Sequence, residues 1–222
     1  MTLGRWWTTP FESAWRGFQQ ALAARYDANP LVRQVSVSSC SSSTGEPFVV
    51  SGAVVSQRNL AAVGWSPAQQ AQCLSGALLD YSGWKRTPIT FAFNPLPGPS
   101  GPNVALMTQE MTACATSASH GGPTCIVGNN DLSPEVDAGR YSAPAINEIL
   151  ALEKGTSPPG VYFQTVGASL SCATINTGLS YGASSIELWP PRGSYLGFGA
   201  IPSATLERWN TEIMSGASSV NC

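Results

Sequence analysis

The chain has 222 residues, of which only 11% are charged, against roughly 25% in an average globular protein. A net charge of −2 and the lack of any Lys/Arg run argue against a nucleic-acid partner. No apolar stretch reaches the roughly 18 residues that a membrane span needs, so a soluble chain is predicted, with no membrane partner.

Trp15, Phe18, Leu22 and Tyr26 recur at helical spacing in WRGFQQALAARY, predicting a helix over 15–26. Asp27-Ala-Asn-Pro30 stops it, and the alternation that follows predicts a strand over 31–38. Ser66 as N-cap with Pro67 in the first turn opens a second helix, to about 81. It leads through Lys85-Arg86-Thr87-Pro88 into the apolar strand ITFAF, residues 89–93. Further pairs follow: a helix over 104–117 before the strand 124–128, and a helix over 143–154 before 160–165. A helix over 171–181 precedes the strand 183–189, and a last helix covers 203–215.

Strands apolar on both faces and alternating with helices predict a parallel sheet covered by helices. A doubly wound sheet and a (β/α)8 barrel both place function at the carboxyl ends of their strands. No strand is followed by a Gly-x-Gly-x-x-Gly or a Gly-x-x-x-x-Gly-Lys-Ser/Thr loop, which argues against nucleotide binding. The long loops rich in Trp, Asn, Asp, Glu and Tyr follow strands rather than precede them, and this favours the barrel. A whole barrel takes about 250 residues, and this chain opens in a helix. The expected fold is therefore α/β, a partial (β/α)8 barrel of about five parallel strands, forming one domain over residues 1–222. Open edges on its first and last strands predict association through them.

Six cysteines at 40, 73, 114, 125, 172 and 222 share no Cys-x-x-Cys spacing, and His120 is the only histidine. No metal site and no cofactor are expected. An even, widely spaced set predicts three disulfides and an oxidising compartment; six buried thiols are the alternative. Cys114 and Cys125 flank one helix-to-strand turn and form the first expected pair; Cys40 with Cys73, and Cys172 with Cys222, follow by elimination. MTLGRWWTTP has no basic segment followed by an apolar core, so the expectation is a secreted or extracytoplasmic protein whose signal peptide is not in this chain.

The segment WWTTPFESAWRGFQQALAARYDANPLVRQVSVSSCSSSTGEPF resembles the middle of the barrel in clan-A-like glycoside hydrolases, and YGASSIELWP at 181–190 resembles their eighth strand. The resemblance implies that the five strands are the fourth to eighth and that Glu46, delivered past the first of them, is the general acid. Two positions depart from that pattern. Gly45-Glu46 stands for the usual Asn-Glu, and the seventh strand ends GVYFQT, with Gln164 where such families carry the nucleophile.

Glycoside hydrolysis uses a proton donor and a second carboxylate as base or nucleophile. Pro47 and Phe48 beside Glu46 would limit its hydration and help it keep a proton; the competing reading is an acid on a solvated loop. Glu187 lies between Ile186 and Leu188 and so faces away from them, into a barrel lumen, as the second carboxylate. Its competing reading is a salt bridge, with Arg192 as one partner. Asp131 is the alternative second carboxylate, or else a turn-capping residue. Asn94, Asn129, Asn130 and Gln164, placed just past strand ends, suit hydrogen bonds to sugar hydroxyls, unless they cap loops. Trp189 heads the candidates for a stacking face, ahead of Tyr195, Trp65 and Trp84; Trp84 also suits packing at its helix end, and His120 a surface or capping role. The expected function is cleavage of a glycosidic bond; a barrel that binds carbohydrate without catalysis is the alternative.

Overall fold

A computed structural model describes residues 4–40, 54–93, 97–98, 101–102, 104–132, 160–165, 171–188 and 201–221. Its helices are α1 (Thr9–Tyr26), α2 (Val54–Ala62), α3 (Pro67–Asp80), α4 (Val104–Thr116), α5 (Cys172–Ser180) and α6 (Ser203–Met214). The parallel strands are β1 (Val35–Ser36), β2 (Ile89–Ala92), β5 (Cys125–Leu132), β6 (Val161–Thr165) and β7 (Ala183–Glu187). A small antiparallel pair, β3 (Pro97–Gly98) and β4 (Gly101–Pro102), follows β2.

The five strands hydrogen-bond in the order β1-β2-β5-β6-β7, which is chain order. A doubly wound sheet reverses direction at a switch point; here each strand adds beside the one before it. The fold is the α/β arrangement of a partial (β/α) barrel, as expected. The expected helix over 143–154 lies outside the described residues.

By contacts the chain divides into two compact units, Met1–Val127 and Gly128–Cys222. In the first, every residue of β2 is buried, and the Phe91 and Phe93 rings stand 4.4 Å apart. Tyr81, Leu74, Met107 and Met111 complete that core. Ser66 caps α3 by accepting the Gln69 N–H, with Pro67 at the first turn. Disulfides join Cys40 to Cys73 and Cys114 to Cys125, the pattern of an oxidising compartment. Cys172 is disulfide-bonded too, while Cys222 lies outside the described residues. No described helix is long and apolar enough to cross a membrane.

Three expectations need correction. Helix α1 starts at Thr9, ahead of the expected 15, and it buries Gln19 and Ala23 while Phe18 is exposed. The cause is close packing: a Cβ on Gly83 would come 3.1 Å from that of Ala23, so the turn after α3 seats on the small residues of α1. Strand β1 is shorter than 31–38, because Asn29 turns the chain by accepting the Leu31 N–H and leaves Leu31 exposed. Helix α2 was not expected at all, its sequence VVSQRNLAA having no clear apolar stripe.

Charge is spent on backbone and burial. Asp27 accepts N–H bonds from Lys85, Arg86 and Thr87 at 2.8–3.1 Å, fastening the turn before β2 to the end of α1. Desolvation opposes ionisation there, but the backbone bonds from Thr87, Arg86 and Lys85 outweigh it and hold the carboxyl below its ordinary value. Glu110 on α4 is buried, and Ser75 Oγ of α3 donates to it at 2.6 Å. Burial pushes the Glu110 carboxyl up, with the Ser75 bond only partly offsetting it.

Two stability tests follow from opposite signs. A depressed carboxyl stabilises above its ordinary value of 3.8 and loses that contribution as pH falls through the folded-state value. Asp27→Ala should therefore cost about 1–2 kcal/mol in neutral denaturant melts, with the gap from wild type closing in strong acid. A raised carboxyl costs stability as pH climbs from 4.5 through the folded-state value. Glu110→Gln, which keeps the acceptor for Ser75, should melt above wild type at neutral pH and match it below 4.5.

Candidate functional site

The site is built in the second unit by the register of β6 on β7. Tyr162 pairs with Ser185, Phe163 with Ile186, and Gln164 with Glu187. Residues paired across parallel strands share a face, and successive residues alternate between faces. Phe163 and Ile186 take the helix side. The Phe163 ring lies 6.2 Å from Tyr181 at the end of α5, and a Cβ on Gly178 would come within 2.9 Å of Ile186 and 3.0 Å of Leu132. Tyr162, Gln164 and Glu187 share the opposite face.

Tyr162 is buried, and its hydroxyl donates to Glu187 Oε2 at 2.6 Å. Room for its ring comes from β5, where Tyr162 pairs with Gly128. A Cβ at 128 would overlap the ring and lie 2.6 Å from the Tyr162 carbonyl oxygen. Glu187 itself is exposed. The carboxylate thus meets solvent while a buried phenol holds one of its oxygens.

Residue placement differs from expectation in several ways. Strand β5 runs on to Leu132, so Asn129 and Asn130 are strand residues and not loop residues past a strand end. Asn129 pairs with Phe163 and is 0% exposed, so it offers no surface to a ligand; Asn130 is half-buried. Asp131 lies in the same strand, its side chain outside the described residues. Gln164 is likewise inside β6, half-buried and next to Glu187. Glu46, Asn94, Trp189, Arg192 and Tyr195 lie outside the described residues.

Trp65 and Trp84 are buried and donate their indole N–H groups to Gln70 and Gln19. Neither offers a stacking face. His120 sits exposed at the end of the short 3-10 turn after α4, its Nδ1 2.9 Å from the Thr116 carbonyl oxygen, a capping place. Tyr162 is the residue that sequence reasoning missed. The signal was available: it stands two residues before Gln164, on the face that Glu187 occupies.

The remaining described carboxylates near core positions are taken. Asp80 is held by Arg16 at 2.9 Å and Glu110 by Ser75. No acid/base pair and no nucleophile–acid pair is evident among the described residues, and no group of three or more His, Cys, Asp and Glu among them could hold a metal ion. The barrel-type fold is compatible with either enzymatic or binding roles. No family model, curated protein or solved structure matches the chain.

Gly128→Ala tests the construction of the site. The methyl would meet a backbone carbonyl that cannot rotate away, so a loss of about 1–3 kcal/mol is expected on overpacking grounds. Denaturant unfolding measures it, and an unchanged melt would show that β5 and β6 are not this close.

Proposed function

We propose that the chain is a carbohydrate-active (β/α)-barrel protein of the glycoside hydrolase type. Glu46 is its general acid and Glu187 its second carboxylate. The observation that carries this reading is the Tyr162–Glu187 hydrogen bond. A carboxylate at the carboxyl end of a strand, exposed yet oriented by a buried hydroxyl, has the fixed geometry that attack on an anomeric carbon requires. In the proposed reaction Glu46 gives its proton to the glycosidic oxygen as that bond breaks. Glu187 attacks the anomeric carbon, or removes a proton from the water that does. Gln164, beside Glu187 in the register, hydrogen-bonds a hydroxyl of the same sugar ring. Asn94, Asn130, Asp131 and Trp189 are proposed to extend the sugar site.

A second reading, binding without hydrolysis, is favoured by one observation: the strand neighbour of Glu187 is an amide, Gln164, and not a second carboxylate. The two separate on a panel of aryl glycosides and oligosaccharides. Under the first reading, Glu46→Gln and Glu187→Gln each retain binding while turnover falls by roughly two to four orders of magnitude. Tyr162→Phe falls less, by about tenfold, the worth of one lost hydrogen bond to a charged group. Wild-type turnover in Glu187→Gln sinks Glu187 as the second carboxylate. Sugar binding with no turnover by the wild type selects the second reading, and neither binding nor turnover rejects both.

A further inference from the structure

The sequence holds no run of cations, yet the fold gathers four of them at the amino ends of β1 and β2. Arg25 closes α1. Asp27, two residues on, accepts the backbone N–H groups of Lys85 and Arg86 and so fixes that turn beside the end of α1. Val35 donates to the Pro88 carbonyl at 3.0 Å, and the register of Val35 with Ile89 brings the preceding residues of each strand together, Arg33 toward Arg86-Thr87. All four side chains belong to exposed residues. None forms an ion pair with a carboxylate among the described residues, where the two salt bridges are Arg16–Asp80 and Arg208–Glu212. These are four of the eleven Lys and Arg of the sequence, and Asp27 is the carboxylate that the hydrogen bonds among the described residues place with them. The Asp27 carboxylate is taken up by backbone donors and fixes the turn, Lys85 Nζ donates to the Gly121 carbonyl at 3.3 Å, and all four cations stay accessible at the surface.

From this juxtaposition we infer that the Arg25–Arg33–Lys85–Arg86 surface is a docking site for an acidic polysaccharide, one carrying carboxylate or sulfate groups. The inference does not rest on the proposed hydrolysis and concerns strand ends other than the one that bears Glu187. Three of the four cations are arginines, whose planar fork meets a carboxylate or sulfate with two parallel hydrogen bonds. Among the described residues the surface is the last turn of α1 with the chain before β1 and β2, and no helix or ribbon projects from it that would enter a nucleic-acid groove. Tyr26 is half-buried, with its own neighbour Arg25 at 5.5 Å from the ring, so it offers no free stacking face to bases. Among the described residues Leu31, 86% exposed, is the large apolar side chain in the segment between Arg25 and Arg33 that is exposed, too little for an interfacial anchor in a lipid surface. The disulfides point to an oxidising compartment, where acidic polysaccharides are common polyanions.

The test titrates the whole chain with heparin as the sulfated probe and a polyuronate as the carboxylated one. A neutral glucan, duplex DNA and anionic vesicles serve as comparison, at about 50 and 200 mM salt, a range over which counterion release is large. The expected result is binding to at least one acidic polysaccharide that weakens steeply with salt, no binding to the glucan here, and weaker binding to DNA and vesicles. Replacing Arg25, Arg33, Lys85 and Arg86 by Gln should weaken that binding by about a hundredfold at low salt and flatten the salt dependence, by roughly one unit of log–log slope per lost contact. A charge-keeping set, the three arginines changed to Lys, should retain most of the salt slope while losing affinity. No binding to either polysaccharide at low salt overturns the inference, as does wild-type affinity in the Gln variant. Tighter binding to DNA or to vesicles overturns it in favour of those partners. Since the exposed side chains carry no core contacts, all variants should melt with the wild type; if the Gln set melts lower, the Lys set decides alone, and an unchanged affinity there removes the arginine fork from the case.

Discussion

The parallel register of β6 on β7 is the constraint from which the second unit follows. Because Phe163 lies beside Ile186, both go to the side that α5 covers, and α5 comes close enough only because residue 178 is a glycine. The same register sends Tyr162, Gln164 and Glu187 to the other side. A slip by one residue would turn Glu187 toward Gly178 and Leu132, where an ionised carboxylate would find no partner and a heavy desolvation cost. Burial of Phe163, with half-buried Ile186 beside it, thus fixes where the carboxylate stands. Packing selects the site.

A similar economy governs the first unit, where polar groups work as fasteners between elements. Gln70 uses one side chain for three of them. Its carbonyl oxygen accepts from the indoles of Trp6 and Trp65, and its amide donates to the Cys40 carbonyl. The N-terminal segment, the chain after α2 and the end of the β1 segment are therefore tied to the first turns of α3. Cys40 adopts a left-handed backbone at φ 66°, a conformation that costs a non-glycine residue about 1 kcal/mol or more. The bond from Gln70 and the disulfide to Cys73 hold it there. Such buried, fully used polar groups give a low-charge chain a specific tertiary arrangement.

Legibility in the sequence followed the range of the physics. Local rules were readable: Ser66-Pro67 opened α3, the Cys114–Cys125 turn closed by a disulfide, and the alternation of helices and strands gave the parallel order. What failed depended on partners distant in the chain. Asn129, Asn130 and Asp131 have the composition of a turn, but pairing with β6 carries β5 through them. The helical spacing that includes Phe18 located α1, whereas the seat of Gly83 on Ala23 decided which face was buried. Tyr162 reads as one more apolar strand residue until Gly128 and Glu187 are seen on either side of it. The four cations are spread over roughly sixty residues of chain and become neighbours through Asp27 and the pairing of β1 with β2. For Glu46 the sequence supplies its context, and its surroundings lie outside the described residues.

Scarcity makes the charged groups informative. A chain with 11% charged residues has few ionic side chains to spare for a solvated surface. Several of the described ones have a visible structural use: Arg16 with Asp80, Arg208 with Glu212, Asp27 on three amides, and Glu110 under Ser75. Glu187, Arg33 and Arg86 form no ion pair among the described residues, while Lys85 bonds only the Gly121 carbonyl and Arg25 lies over the Tyr26 ring. Glu187 gains no opposing charge among the described residues, yet a buried phenol is committed to orienting it. A structural role would be served as well by Gln, which also accepts from a tyrosine hydroxyl and carries no charge to desolvate. The register therefore leaves, at the end of β7, one side chain for which stability alone gives no reason to be an acid. Its neighbour in the register, Gln164, is an amide that brings no second charge to that face.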